Sequence, residues 1–230
     1  MTAYEPFAAH YEAWSAEMTE DVPFYVELAR EADGPVVELA CGTGRVAVPV
    51  ARAIGRPVIG IDLEPAMLAR ARDAAATAGV ELDLRLGDLR DFELDEPAAL
   101  ITCPFRSLLH LPTWADRRRT FERVAANLAP GGRFAWNAFC FDHTVAAANE
   151  GHSGLKRVPH TIHHVPSESR IDITLDTGGR ISLWWATRNE WLGLIDVAGL
   201  ELEALYGWFD RRPFDEDSRE FVFVARKPAA

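Results

Sequence analysis

Cysteine is scarce. Cys41, Cys103 and Cys140 are the three in 230 residues, far apart and with no CxxC pair. An odd, scattered set excludes a disulfide framework or a thiolate metal site and fits a reducing compartment, so a cytoplasmic location is expected. Long apolar runs are missing too: nothing approaches the roughly 20 residues of a membrane span, and no membrane partner is expected. Residues 1–28 carry Glu5, Glu12, Glu17, Glu20, Asp21 and Glu27 in place of a basic stretch leading into an apolar one, so no secretory signal is expected. Positive charge is in deficit, 24 Lys and Arg against 35 Asp and Glu. A surface with net charge −11 repels a phosphate backbone, which removes nucleic acid as the main partner. Internal repeats and low-complexity linkers are absent. What remains is ordinary globular composition, 48% hydrophobic and 26% charged. At this length a single domain is the default.

Periodicity supplies the fold class. Tyr4, Phe7, Tyr11 and Trp14 share one face of a helix predicted over 3–18, and a second helix is expected over 21–32; together they form an N-terminal helical cap over 1–34. Val36 to Ala40 is a short apolar strand run that stops at Cys41-Gly42-Thr43-Gly44. A helix follows from Arg45 to about Ala53, a strand over Val58 to Ile61, and a helix opened by Pro65. Leu82 to Leu86, Ala98 to Cys103 and Arg133 to Phe139 continue the strands, with a helix capped at Thr113 and ended by Pro130-Gly131-Gly132. This alternation predicts an α/β, Rossmann-like, doubly wound and mostly parallel sheet over 35–140, with ligand at the carboxyl ends of its strands. Residues 141–187 change period: Arg170 to Asp176 and Ile181 to Trp185 alternate as a hairpin, and Lys156 to Val165 adds a third strand, a small antiparallel β insertion over the site. Residues 188–230 return to a helix, capped by Thr187 and Glu190, and two strands at 200–206 and 220–226.

Gly42-Thr43-Gly44-Arg45-Val46-Ala47 fits the dinucleotide pattern, with Asp62 lying 20 residues after Gly42. The neighbours argue otherwise. Glu38 would set a carboxylate against a pyrophosphate, with Arg45 as the motif's sole basic residue. A ligand with an ammonium, a sulfonium and a free ribose diol removes that conflict. Val36 to Gly44, with Asp62 and Gly87-Asp88 at the next two strand ends, resembles the class I S-adenosylmethionine-dependent methyltransferases, in their small-molecule branch. The resemblance spans roughly residues 4–140 and continues more loosely to the end. The family usually has Gly where Ala40 stands, which leaves less room here for backbone approach.

The resemblance implies S-adenosyl-L-methionine as cofactor and an antiparallel last strand. It implies Asp62 as the ribose acceptor, Asp88 as the acceptor from the adenine amino group, and Leu63, Met67 and Leu89 as adenine walls. Glu38, Ala40, Cys41, Gly42, Gly44 and Arg45 form the first motif, and Gly87 and Cys103 lie at strand ends beside it. The resemblance also implies that Tyr11, in a Tyr-Glu-Ala-Trp segment, and Trp14 fold over the cofactor.

Methyl transfer from a sulfonium needs alignment more than acid–base machinery. The expected activity is N- or O-methylation of a small metabolite, with His110 as base if the acceptor is an alcohol and Arg106 as holder of an anionic substrate group. His163 and His164 point to opposite faces of a strand, which disfavours a shared metal. Trp184 and Trp185 straddle the sheet likewise. Alternatives are a non-catalytic cofactor-binding protein on the same fold and an NAD-dependent oxidoreductase. Monomer and homodimer both stay open.

Overall fold

Strands and helices alternate from Val36 onward in the computed structural model, which describes residues 11, 18–151, 158–176 and 178–229. Of the helix predicted over 3–18, Tyr11 is described, while Trp14 lies outside the described residues. The second cap helix is α1 (Val22–Arg30). There follow β1 (Val36–Leu39), α2 (Ala47–Ile54), β2 (Val58–Asp62), α3 (Pro65–Ala78), β3 (Leu82–Leu86), β4 (Ala98–Cys103), α4 (Trp114–Asn127) and β5 (Leu128–Phe139). Past the insertion come α6 (Arg188–Val197), β9 (Glu201–Tyr206) and β10 (Glu220–Arg226).

Seven strands form one sheet in the order β3-β2-β1-β4-β5-β10-β9. The first five run parallel, and β10 enters antiparallel between β5 and β9. Apolar runs such as Val36–Leu39 read as strands because both faces of a parallel sheet are covered. One face packs Phe121, Trp136, Trp191 and Phe223 under α4 and α6; Trp136 and Phe223 are register partners with rings stacked 4.9 Å apart. The other packs Phe24, Tyr25, Val46 and Val50 of α1 and α2. The strand order reverses between β1 and β4, and there the crevice opens at their carboxyl ends.

The caps behave as the spacing predicts. Thr113 accepts from the Asp116 N–H at the start of α4, and Thr187 and Glu190 form a reciprocal box at α6. One boundary differs: α4 stops at Asn127 and β5 starts at Leu128, passing through Pro130-Gly131-Gly132, with the register against β4 shifting between Ala98 and Leu100. The proline and glycines therefore make an irregularity inside a strand.

The insertion differs more. Before its strands it carries a helix, α5 (His143–Asn149), whose N-cap Asp142 accepts from the Thr144 and Val145 N–H groups. Three consecutive alanines behind such a cap favour helix, a signal that the β reading of the insertion passed over. Then β6 (His160–Val165), β7 (Arg170–Leu175) and β8 (Arg180–Trp184) form an antiparallel sheet in the order β6-β7-β8. The strand expected from Lys156 starts at His160; Pro159, with no N–H to give a ladder, precedes it. The inner face of this sheet, including Ile173, Leu175 and Ile181, packs on Tyr11 and Met67. The insertion thus lies across the crevice.

Candidate active site

The turn after β1 is left-handed at alternate residues: Ala40, Gly42 and Gly44 have φ of 52°, 55° and 79°. Glycine takes this conformation freely, whereas alanine at Ala40 costs about 1–2 kcal/mol. Side chains brace the turn. The Asp62 carboxylate at the end of β2 accepts from the Gly42 N–H at 2.7 Å and from the Glu64 N–H at 2.9 Å. The Cys41 thiol fills the space over Gly60, where a Cβ would come within 2.9 Å of Sγ, so Cys41 is a packing residue. Cys103 is equally buried, and burial pushes both thiols up, far from nucleophilic use. Neither side chain lines the crevice; of the first motif, Cys41 has its backbone to offer.

Glu38 is 4% exposed and faces the α1 side of the sheet, within electrostatic reach of Arg45, Asp21 and Asp62. Burial drives its carboxyl well above the usual range, with Arg45 partly opposing the shift. Burial likewise raises Asp62, against the bonds from Glu64 and Gly42. Both acids therefore stand to gain from a cation placed beside them. Arg45 is not that cation's competitor. Its guanidinium forks onto Asp21, both contacts at 2.6 Å, donates to the Met18 carbonyl, and lies 4.6 Å over the Phe105 ring. Tyr11 completes the roof, edge-on to Phe105 and just above Gly42, its hydroxyl pushed up to about 12 by burial.

Beyond Asp62 opens a cleft of about 160 Å³ walled by Ala40, Leu63, Gly87, Leu89, His110 and Pro112, with Asp62 and Asp88 as its acids. Arg90, the cation on this wall, is forked onto Asp88 and also donates to Asp116. Arg90 holds the Asp88 carboxyl below its usual value. Carboxylates, apolar walls and an already committed guanidinium fit a nucleoside with free hydroxyls and a cationic tail, and offer a pyrophosphate nothing. Met67 is buried beneath the insertion, outside this wall.

The two residues expected to serve the acceptor are placed otherwise. His110 lines the cleft beside Asp62 and not the larger cavity, bonds to the Ser182 backbone, and is pushed down to about 4 by burial. It is neutral there and far from the role of an alcohol's base. Arg106 does line the larger cavity, yet its guanidinium is forked onto Glu220, with contacts of 3.1 and 2.6 Å, so it is not an open anion holder. Asn137 donates to the same carboxylate at 2.6 Å and accepts from the Tyr25 hydroxyl. This network pins Phe105 and Arg106, both left-handed with φ of 60° and 63°.

The larger cavity, about 390 Å³, lies between the carboxyl ends of β4 and β5, α5 and the insertion sheet. Phe139, Phe141, Val145, Ile162, Ile173 and Leu183 make its walls apolar; Arg106, Asp142, Asn149, His164 and Arg219 are its polar groups. Phe141 is stacked face to face on Trp185 at 3.7 Å, so Trp185 backs the wall. His163 and His164 leave opposite faces of β6 as alternation requires, but Glu150 bonds to both rings.

Asp21, Glu150 and Glu220 were invisible as functional candidates. Asp21 stands at the N-cap of α1 but makes no cap bond, giving its carboxylate to Arg45. Glu220 begins a strand and reads as a solvated end; its partner Arg106 lies 114 residues away.

A methyltransferase-domain profile matches residues 36–132. A dTDP-4-amino-2,3,4,6-tetradeoxy-D-glucose N,N-dimethyltransferase of Saccharopolyspora spinosa is 30% identical over 84% of this chain and 82% of its own length. A dTDP-3-amino-3,6-dideoxy-alpha-D-glucopyranose N,N-dimethyltransferase of Streptomyces fradiae is 30% identical over 75% and 72%. Among solved structures, the CcbJ methyltransferase of Streptomyces caelestis superposes with a TM-score of 0.82 at 26% identity, over 100% of this chain and 99% of that one.

Proposed function

This chain belongs to the class I S-adenosylmethionine-dependent methyltransferases, and from that premise we propose that it methylates the amine of a compact, deoxygenated metabolite, with an amino-deoxyhexose as the favoured class. The cofactor is S-adenosyl-L-methionine, which brings an electrophilic methyl group on a sulfonium. The chain's own residues do the rest. Asp62 and the Ala40–Gly44 turn are the ribose side, Asp88, Leu63 and Leu89 the adenine side, and Glu38 supplies a negative field under the cationic tail. Tyr11, Arg45 and Phe105 roof the turn and exclude water.

One observation carries the acceptor reading: a 390 Å³ cavity with aromatic and aliphatic walls and few polar groups on its lining. That volume suits a single sugar-sized ligand. A fully hydroxylated sugar would set hydroxyls against apolar walls at about 1–3 kcal/mol for each left without a partner. A deoxygenated one offers C–H faces to Phe139 and Phe141 and needs few polar contacts. The two relatives named for amino-deoxyhexoses support this choice. Arg219 on the same lining is a cation for a phosphate carried by such a sugar. We read the whole chain as one domain, residues 141–187 as the lid over both pockets, and the setting as cytoplasmic. The net charge of −11 supports a small acceptor over a nucleic acid.

The test is transfer of labelled methyl from S-adenosylmethionine to matched dTDP-linked deoxyhexoses carrying an amine or a hydroxyl at the 3 or 4 position. Label on the amines alone is the expected result. Label confined to the hydroxyl series overturns the amine reading.

A further inference from the structure

An aliphatic amine is protonated at neutral pH, its ordinary pKa being near 10, and an ammonium has no lone pair with which to attack. N-methylation, the reading on which this inference rests, therefore needs a place for the proton. His110 does not line the acceptor cavity. His164 does, with its side chain one-tenth exposed.

His164 is held in one orientation. Its Nδ1 lies 2.7 Å from Oε2 of Glu150, and that same oxygen accepts from the His164 backbone N–H at 2.9 Å. These bonds hold Glu150 down to about 2, so it is a carboxylate and accepts only. Nδ1 must then carry the hydrogen, which leaves the lone pair of the neutral ring on Nε2. Among the described residues, no bond to Nε2 competes with a ligand. Phe141, itself stacked on Trp185, lies against the ring with centroids 6.2 Å apart. The charged groups sharing the cavity are Arg106, committed to Glu220, and Asp142 and Arg219, 4.0 Å from each other. His163 bonds to the second oxygen of Glu150 from the outer face of β6, and His143 packs on Phe141.

We propose that His164, oriented by Glu150, is the catalytic residue that takes the proton from the acceptor amine. The N–H proton passes to Nε2, giving an imidazolium whose charge Glu150 offsets. The freed nitrogen pair then forms the N–C bond as the methyl C–S bond breaks, its electron pair leaving on sulfur as a neutral thioether. Apolar walls help by disfavouring the ammonium over the free amine.

Two measurements test this. The first follows kcat against pH for wild type, His164→Gln and Glu150→Gln, using the dTDP-linked 4-amino-deoxyhexose and saturating S-adenosylmethionine. His164→Gln is expected to lose about 10²–10⁴-fold at pH 7, as for a lost general base. Cofactor affinity should hold, and activity should partly recover toward pH 10 as free amine accumulates. Glu150→Gln should lose less. Activity within twofold of wild type in His164→Gln, or an equal loss at every pH, overturns the proposal. The second needs no acceptor: ¹⁵N-histidine NMR of the enzyme, recorded where the His164 ring is neutral, should find its hydrogen on Nδ1, and Glu150→Gln should weaken that preference. Hydrogen on Nε2 in wild type overturns the proposal whatever the acceptor. Should wild type label hydroxyls and no amine, the amine reading falls; His164→Gln is then scored on the hydroxyl, where a retained rate counts against the base.

Discussion

The two pockets are built on different plans. The proposed nucleoside cleft is built mostly from short contiguous pieces, Ala40, residues 61–63 and residues 87–90, at the ends of β1, β2 and β3, closed by residues 110–112, and its acids are Asp62 and Asp88. The larger cavity, the proposed acceptor site, is gathered from the loops after β4 and β5, α5, the insertion sheet and the approach to β10, and its walls are mostly apolar side chains. The proposed cofactor end is thus fixed mostly by local chain geometry, and the proposed acceptor end by long-range packing. Substitutions should separate the two.

The widest separation is expected from Glu220→Ala. It strands the Arg106 guanidinium and an Asn137 amide, and since Arg106 is one-third exposed the cost is about 2–4 kcal/mol, below that of a fully buried pair. Melting should fall by about 5–15 °C and turnover should drop, while calorimetry finds cofactor affinity within a few-fold of wild type. An equal loss of cofactor affinity would show that the two ends are not independent.

Asp62→Ala is the converse. Loss of charge-assisted bonds to the ribose, and of the brace on Gly42, should weaken cofactor binding by about 1.5–3 kcal/mol, or roughly tenfold to a hundredfold, by calorimetry. Unaltered affinity would refute the ribose role.

A subtler separation lies in protons. Burial holds Glu38 above its ordinary range, and a cation beside it favours the carboxylate. Cofactor uptake should therefore release protons, and affinity should rise with pH by at most about tenfold per unit, in the range above the ordinary carboxylate pKa. Calorimetry in buffers of different ionisation enthalpy counts the release. In Glu38→Gln it should shrink to the part carried by Asp62, and unchanged release would remove Glu38 from the account.

The smallest effect concerns Ala40→Gly. Relief of a left-handed alanine is offset by the freer unfolded chain, leaving a gain under about 1 kcal/mol, or about 3 °C in melting temperature. A clear loss would mean that the Ala40 methyl group packs usefully in the cleft.

The same contrast explains what could be read in advance. Glu38 in β1, Asp62 at the end of β2 and Asp88 just past β3 stand where the pattern places them, and β4 and β10 begin and end as that pattern has them. Arg106 and His110 were legible as residues near the site but not in their roles, because those depend on Glu220 and on the Ser182 backbone, distant in the chain. His164 was legible as one of a pair of strand histidines disfavoured as metal ligands, until α5, a helix unseen in the pattern, brought Glu150 to it.

Phe105 and Arg106 hold a conformation that non-glycine residues adopt at about 1–3 kcal/mol each. The carboxylate that clamps it is Glu220, at the start of β10. A ribosome completes the glycine turn and Asp62 some 160 residues before it supplies that clamp. The larger cavity therefore acquires its shape only when β10 has slid in between β5 and β9.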